Sequence, residues 1–341
     1  MDPITLANSI ENLTLKGNTS TIKVRKIDVD TNEPIPNTVF QLSREDGSVI
    51  GTATTNAEGI VIFTELYQGT YNLQEIKNND SYEISNEITK VITEYNKTTE
   101  IQVTNEKKKG QVRVIKVDKD NNKIGLGNIK FDLYSEEFKK VIGTYTTDVN
   151  GEIFIENLRI GNYKLIEKIT NKWYNLNDEA VEIKINWGKI TDILVENELK
   201  KGQVKVIKKD SDNNEISLGG VKFDVLDEKG TVLETIITNE KGEAYTSEYP
   251  VRDYEKLIIR EIETLDEYVL QKNPQIVELK ANEIIEVEFT NELKKGQIRI
   301  IKVDKDNNEV KLSGVKFNIY DENNNLVQTL VTDENRWSYN R

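Results

Sequence analysis

The chain has 341 residues, with 46 Lys and Arg against 59 Asp and Glu and a formal charge of −13. That length suffices for two to four domains, and the acidic balance leaves no basic face for a nucleic-acid partner. Without Cys there is no disulfide or thiol nucleophile, and without His the commonest general base and metal ligand is missing, which argues against most hydrolytic and metal-dependent enzymes.

The opening MDPITLANS has no charged segment followed by an apolar run, and no stretch nears the roughly twenty apolar residues of a membrane span. No membrane insertion is expected, and the targeting and anchoring signals are expected to lie outside these residues. Residues 8–17, NSIENLTLKG, echo the joins found further along and read as the last strand of an upstream module, so 1–19 stands as an extension.

Four segments then align: TIKVRKIDVD from 21, QVRVIKVDKD from 111, QVKVIKKDSD from 203 and QIRIIKVDKD from 297. Their markers Lys26, Lys116, Lys208 and Lys302 are spaced 90, 92 and 94 residues apart, one small domain per period. Within each period an apolar strand follows (TVFQLSR, IKFDLYS, VKFDVLD, VKFNIYD). In the first three a turn comes next, where Gly59, Gly151 and Gly242 can supply positive φ. The first three periods continue through YNLQEI, YKLIEK or LIIREI and close on QVTNE, LVENE or EFTNE.

Short alternating strands, frequent turn signals and no helical period predict an all-β chain of tandem immunoglobulin-like sandwiches with about seven strands each. The expected domains are 20–106, 107–198, 199–292 and a truncated fourth repeat, 293–341. The joins NEKKKGQ and NELKKGQ are short and charged, which predicts modules set end to end as a monomeric rod. The fourth repeat stops 39 residues beyond Lys302, and Arg336 stands where the others have the turn glycine. The tail NRWSYNR thus departs from the pattern. This half repeat is expected to expose an apolar face and to carry no cross-link.

Parity picks out three polar residues on apolar faces. Lys26 shares its face with Ile22 and Val24, as do Lys116, Lys208 and Lys302 with their own apolar neighbours. Tyr71 and Leu73 lead on the same parity to Glu75, Tyr163 and Leu165 to Glu167, and Leu257 and Ile259 to Glu261. In the closing strands Val103 precedes Asn105, Val195 precedes Asn197 and Phe289 precedes Asn291. A single lysine so placed ordinarily snorkels its amine to solvent. The recurrence of the whole Lys, Glu and Asn set, with Glu and Asn always 30 residues apart, favours a buried cluster instead.

A buried ammonium or carboxylate neutralises or pairs, because isolated charge is costly in a low dielectric. A neutral lysine beside an asparagine carboxamide and a protonated glutamate has one evident reaction. The amine attacks the amide carbon, the glutamate moves the proton, ammonia leaves and an isopeptide bond remains. Lys26, Lys116 and Lys208 are the expected nucleophiles, Asn105, Asn197 and Asn291 the acceptors, and Glu75, Glu167 and Glu261 the catalytic groups. Lys302 has no partner within reach. The chemistry occurs once per module, so no enzyme turnover and no cofactor are expected.

The K-x-D of the first strand, the Y-x-L-x-E before the sixth and the terminal N-E make residues 20–106, 108–198 and 200–292 resemble the Cna B-type modules of Gram-positive adhesins and pilin-like shafts. The third repeat departs mildly, with Leu257 in place of the tyrosine and Lys209 between Lys208 and Asp210. The resemblance implies the same roles for the three residue types. It also implies a cell-wall-attached extracellular stalk that lifts a ligand-binding head, with any host extracellular-matrix partner bound through domains outside these residues. The alternative is a module that itself binds a matrix protein through a sheet edge or end loop.

Two further motifs are weighed and set aside. DKDNN at 118 and 304 resembles the start of a calcium loop, but Lys123 and Glu309 occupy its glycine position and no glutamate follows at the twelfth place, so a solvated turn is expected. Trp173 and Trp187 suggest a sugar platform, although aromatics near strand ends usually serve core or rim packing.

Overall fold

The computed structural model describes residues 19–333 and the backbone of 337–339. The upstream-module echo at 8–17 and the Arg336 turn lie outside the described residues, as do the side chains of the tail. Two compact units are present, Met1–Leu199 and Lys200–Arg341. No helix among the described residues is long and apolar enough to cross a membrane. The architecture is all-β.

In the first unit the first repeat forms β1 (Ser20–Asp28), β2 (Val39–Arg44), β3 (Val49–Thr54), β4 (Ile60–Leu66), β5 (Gly69–Lys77), β6 (Ile88–Thr93) and β7 (Thr98–Asn105). They make two sheets, ordered β4-β1-β7 and β3-β2-β5-β6. The second repeat forms β8 (Lys109–Asp118), β9 (Lys130–Ser135), β10 (Lys140–Thr146), β11 (Glu152–Arg159), β12 (Gly161–Ile169), β13 (Val181–Ile185) and β14 (Ile190–Asn197). Its sheets repeat the plan as β11-β8-β14 and β10-β9-β12-β13.

The second unit opens with β15 (Lys201–Asp210), β16 (Lys222–Leu226), β17 (Val232–Ile237), β18 (Glu243–Tyr245), β19 (Tyr249–Pro250), β20 (Lys256–Glu263), β21 (Gln275–Glu278) and β22 (Ile284–Asn291). One sheet is β17-β16-β20-β21; in the other, β15 pairs with β18, β19 and β22. The strand that is continuous as β4 and β11 is here broken in two. Last come β23 (Arg299–Ile301), β24 (Lys316–Tyr320), β25 (Leu326–Val331) and β26 (Trp337–Tyr339), paired as β23-β26 and β24-β25. Val315, Phe317 and Ile319 are only half-buried there, whereas their counterparts Val221, Phe223 and Val225 are fully enclosed.

Each core lies between two sheets and is built by strict alternation. Ile22 and Val24 of β1 face Phe40 and Leu42 of β2 and Leu73 of β5, all essentially inaccessible to solvent. Val112, Val114, Phe131, Leu133 and Leu165 form the same cluster in the second repeat, and Val204, Val206, Phe223, Val225 and Leu257 in the third. Each such side chain contributes about 1.5–3 kcal/mol on burial.

First and last strands of each complete repeat run parallel and adjacent. Asp28 pairs with Asn105, Asp118 with Asn197 and Asp210 with Asn291. Each lysine therefore lies one same-face step before the residue opposite the asparagine. The turn glycines close on the same point. Gly59, Gly151 and Gly242 have φ of +69°, +83° and +71°, and each carbonyl accepts the backbone N–H of its lysine at 2.8 Å. A Cβ on any of them would fall 2.3–2.4 Å from that lysine's carbonyl oxygen, so the position demands glycine on two counts.

Candidate functional site

The three expected residue types meet in every complete repeat. Lys26, Lys116 and Lys208 have no solvent exposure, and Glu75, Glu167, Glu261, Asn105, Asn197 and Asn291 have 5% or less. In the first repeat Lys26 Nζ donates to Asn105 Oδ1 and lies 2.9 Å from Glu75 Oε2. Asn105 Nδ2 donates to both oxygens of Glu75, at 2.8 and 3.1 Å. In the second, Lys116 Nζ reaches Asn197 Oδ1 at 2.5 Å and Glu167 Oε2 at 2.8 Å, while Asn197 Nδ2 donates to Glu167 Oε1 at 2.6 Å.

The third cluster is looser. Asn291 Nδ2 donates to Glu261 Oε1 at 2.6 Å, but Lys208 Nζ stands 3.7 Å from Glu261 Oε2. Neither Lys208 Nζ nor Asn291 Oδ1 has a hydrogen-bond partner. In all three repeats burial pushes the lysine below its ordinary range, against the pull of the neighbouring glutamate. For Lys208 the value falls to about 8. Lowering the value in this way enlarges the neutral, nucleophilic share of the amine.

The floor of each cluster is a phenylalanine opposite the glutamate in the antiparallel ladder: Phe40 with Glu75, Phe131 with Glu167 and Phe223 with Glu261. Lys26 and Lys116 lie over these rings at 5.9 and 5.8 Å. The rings keep water out and leave the amine facing the amide. Lys302, in contrast, is exposed and has no such surroundings.

Several contacts escape strand parity. Thr170 Oγ1 accepts from Asn197 Nδ2 at 2.8 Å, and Thr264 Oγ1 from Asn291 Nδ2 at 2.7 Å. The first repeat has Asn78 at this place, which is engaged instead with Thr38 and the Glu83 carbonyl. The aspartate of the K-x-D in each complete repeat is also buried. Asp118 Oδ2 accepts from Tyr174 at 2.7 Å and Asp210 Oδ2 from Tyr268 at 2.8 Å. Asp118 Oδ1 takes the backbone N–H groups of Asp120 and Asn121, so the DKDNN segment at 118 folds as a turn around its own first carboxylate.

Asp28 has a further partner. Arg159, at the end of β11 in the second repeat, donates to Asp28 and Asp30 of the first and to Glu137 of its own, the last at 3.0 Å. Burial alone would raise the Asp28 carboxyl, but Arg159, the Asp30 and Thr31 amides and Tyr82 together hold it below its usual range. Glu137 also meets Lys107 at 2.9 Å, so the join between the first two repeats is closed by ion pairs.

Of the two tryptophans, Trp173 is half-buried against the second core, as rim packing requires. Trp187 is 58% exposed and carries the Lys108 ammonium 4.1 Å from its ring centroid, which shields one face without core contact.

The SpaA prealbumin-like fold domain matches residues 20–107, 110–199, 202–293 and 296–336. No curated protein matches the chain. Among solved structures it is similar to the Bacillus anthracis TIE protein, at 26% identity and a TM-score of 0.51 over 81% of this chain and 51% of that one. It thus spans about half the length of that relative. It is also similar to BcpA, the major pilin subunit of Bacillus cereus, at 15% identity and a TM-score of 0.32 over 81% of this chain and 100% of that one. For the minor pilin of Streptococcus agalactiae the figures are 19% and 0.28, over 53% and 96%. With four consecutive segments matched, the chain belongs to the SpaA prealbumin-like fold domain family.

Proposed function

We propose that this chain is stalk material of a Gram-positive cell-surface adhesin or pilin-like protein, and that each complete repeat locks itself with a Lys–Asn isopeptide bond. The observation that carries the reading is the thrice-built cluster of a buried lysine, glutamate and asparagine joining first and last strands. Membership of a family of tandem prealbumin-like domains supports the stalk, and no distinct turnover site is needed to account for these residues.

The reaction follows from the contacts. Neutral Lys116 Nζ, held at Asn197 Oδ1, adds to Cγ of the same carboxamide. Glu167, which touches both the amine and Nδ2, passes a proton from the attacking nitrogen to the departing one. The Cγ–Nδ2 bond breaks and ammonia leaves. Folding supplies proximity and a low dielectric in place of an external catalyst. The bond closes a loop spanning residues 116–197, which by chain-entropy reasoning contributes about 4.5 kcal/mol.

Intact mass under denaturing conditions tests this directly. The purified chain should weigh less than its sequence by three ammonia molecules, and a full-sequence mass would sink the proposal. Glu167→Ala should restore one ammonia while the second repeat remains folded; an unchanged mass would remove the glutamate from the chemistry.

A further inference from the structure

Each acceptor asparagine has two amide hydrogens, and they are not held alike in the three repeats. In the second and third, one goes to the glutamate and the other to a threonine hydroxyl: Thr170 at 2.8 Å and Thr264 at 2.7 Å from Nδ2. In the first, both contacts are made by Glu75 alone. The threonines follow their glutamates by three residues, just past an irregularity in the ladder where Phe131 pairs with Glu167 but Lys130 with Ile169, and Phe223 with Glu261 but Lys222 with Glu263. The extra residue turns the chain so that the hydroxyl and the carboxylate reach the same nitrogen.

Building on the cross-link reading, we infer that Thr170 and Thr264 are catalytic residues of the second and third repeats, acting on the departing nitrogen. Two acceptors fix the plane of the carboxamide, so Oδ1 is turned to the lysine side and the attacked face of Cγ is set. When the tetrahedral carbon forms, the Nδ2 lone pair is released from amide conjugation, and the nitrogen must take one proton before it leaves. The glutamate delivers the proton lost by the lysine, and the hydroxyl keeps the nitrogen in place to receive it. The threonine neither gains nor loses a proton overall, so the balance is still one new C–N bond, one broken C–N bond and one ammonia. The first repeat has Asn78 at this place, engaged with Thr38 and the Glu83 carbonyl, and there the glutamate meets the nitrogen with both oxygens.

The test is the rate of bond formation in the whole chain. Chain made by cell-free synthesis is quenched in denaturant at timed intervals, and the Lys116–Asn197, Lys208–Asn291 and Lys26–Asn105 peptides are quantified by mass. Thr170→Val, similar in shape but without the hydroxyl, should slow the Lys116–Asn197 bond about tenfold and leave Lys26–Asn105 at its native rate. Thr170→Ser should restore the rate. Thr264→Val should do the same to the third repeat alone, which supplies a second measurement should the first variant fold poorly by hydrogen exchange. Linking at the native rate in both valine variants overturns the role, as does equal slowing by serine, which would mean packing and not the hydroxyl. If the unaltered chain loses no ammonia at any pair, the cross-link reading itself fails, and that outcome is separate from a native-rate valine variant.

Discussion

Arg159 in the second repeat donates to the carboxylate of Asp28 in the first, and Asp28 is fully buried two residues beyond Lys26. The pair ties the end of β11 to the strand that carries the first repeat's candidate nucleophile. Neither residue belongs to the Lys, Glu and Asn cluster, yet each bears on the stability of the strand holding it.

Removing the guanidinium should be felt in the neighbouring repeat. Arg159→Ala leaves the Asp28 carboxylate with Tyr82 and two backbone amides but no cation, and should destabilise the first repeat by about 2 kcal/mol. The sign with pH follows from the lowered carboxyl. A group depressed in the folded state contributes stability above its unfolded value, near 3.9, and loses it as pH falls through the folded value. The variant should therefore move the acid unfolding of the first repeat to higher pH. Hydrogen exchange read repeat by repeat, in an Asn105→Ala background so that no cross-link masks the change, would show it; an unchanged first repeat refutes the linkage.

The turn glycines make a sharper structural test. Gly151→Ala forces a side chain into positive φ and against the Lys116 carbonyl at 2.3 Å. The second repeat should lose about 1–3 kcal/mol of stability, and its cross-link should form more slowly because the lysine backbone is displaced. Gly47→Ala, also at positive φ but with nothing within 4 Å of the added carbon, should cost less and leave bond formation in the first repeat unaltered. Thermal melts and intact mass of the two variants separate these outcomes.

The third repeat should be the pH-sensitive one. Lys208 is held at about 8, so its amine is mostly charged and unreactive at pH 6 and mostly neutral above pH 9. Bond formation between Lys208 and Asn291 should speed up through that window and then level off. In an Asn291→Ala variant, where the lysine stays free, the unfolded chain binds the extra proton between about 8 and the ordinary value of 10.5, so stability should rise with pH across that interval. A flat profile for both would show that the amine is not neutralised by burial.

The lysine, glutamate and asparagine were legible because each sits within a regular strand, where alternation assigns a face to every residue. Thr170 and Thr264 were not, because the irregularity after the glutamate shifts the count by one and three residues onward no longer means the opposite face. Asp28 shares the parity of Lys26, but its partner across the strands appears only when the parallel ladder sets it opposite Asn105. Arg159 could not be found from within its own repeat, since the carboxylate it neutralises lies in the one before. The looser placing of Lys208 is not signalled by residue type, since the third repeat keeps all three types and the same 30-residue step from glutamate to asparagine.

The parallel pairing of first and last strands decides how a single repeat meets a pull on its ends. β1 enters at Ser20 and β7 leaves at Asn105, at opposite ends of one ladder whose eight residue pairs run from Thr21–Thr98 to Asp28–Asn105. Tension on the two ends slides these strands along each other, so the ladder's hydrogen bonds resist together in shear instead of opening one after another like a zip. An antiparallel pair joined to the same ends would peel. The load path therefore runs through two adjacent strands and bypasses the five between them, which leaves the loops at either end of the sandwich free to vary without weakening it.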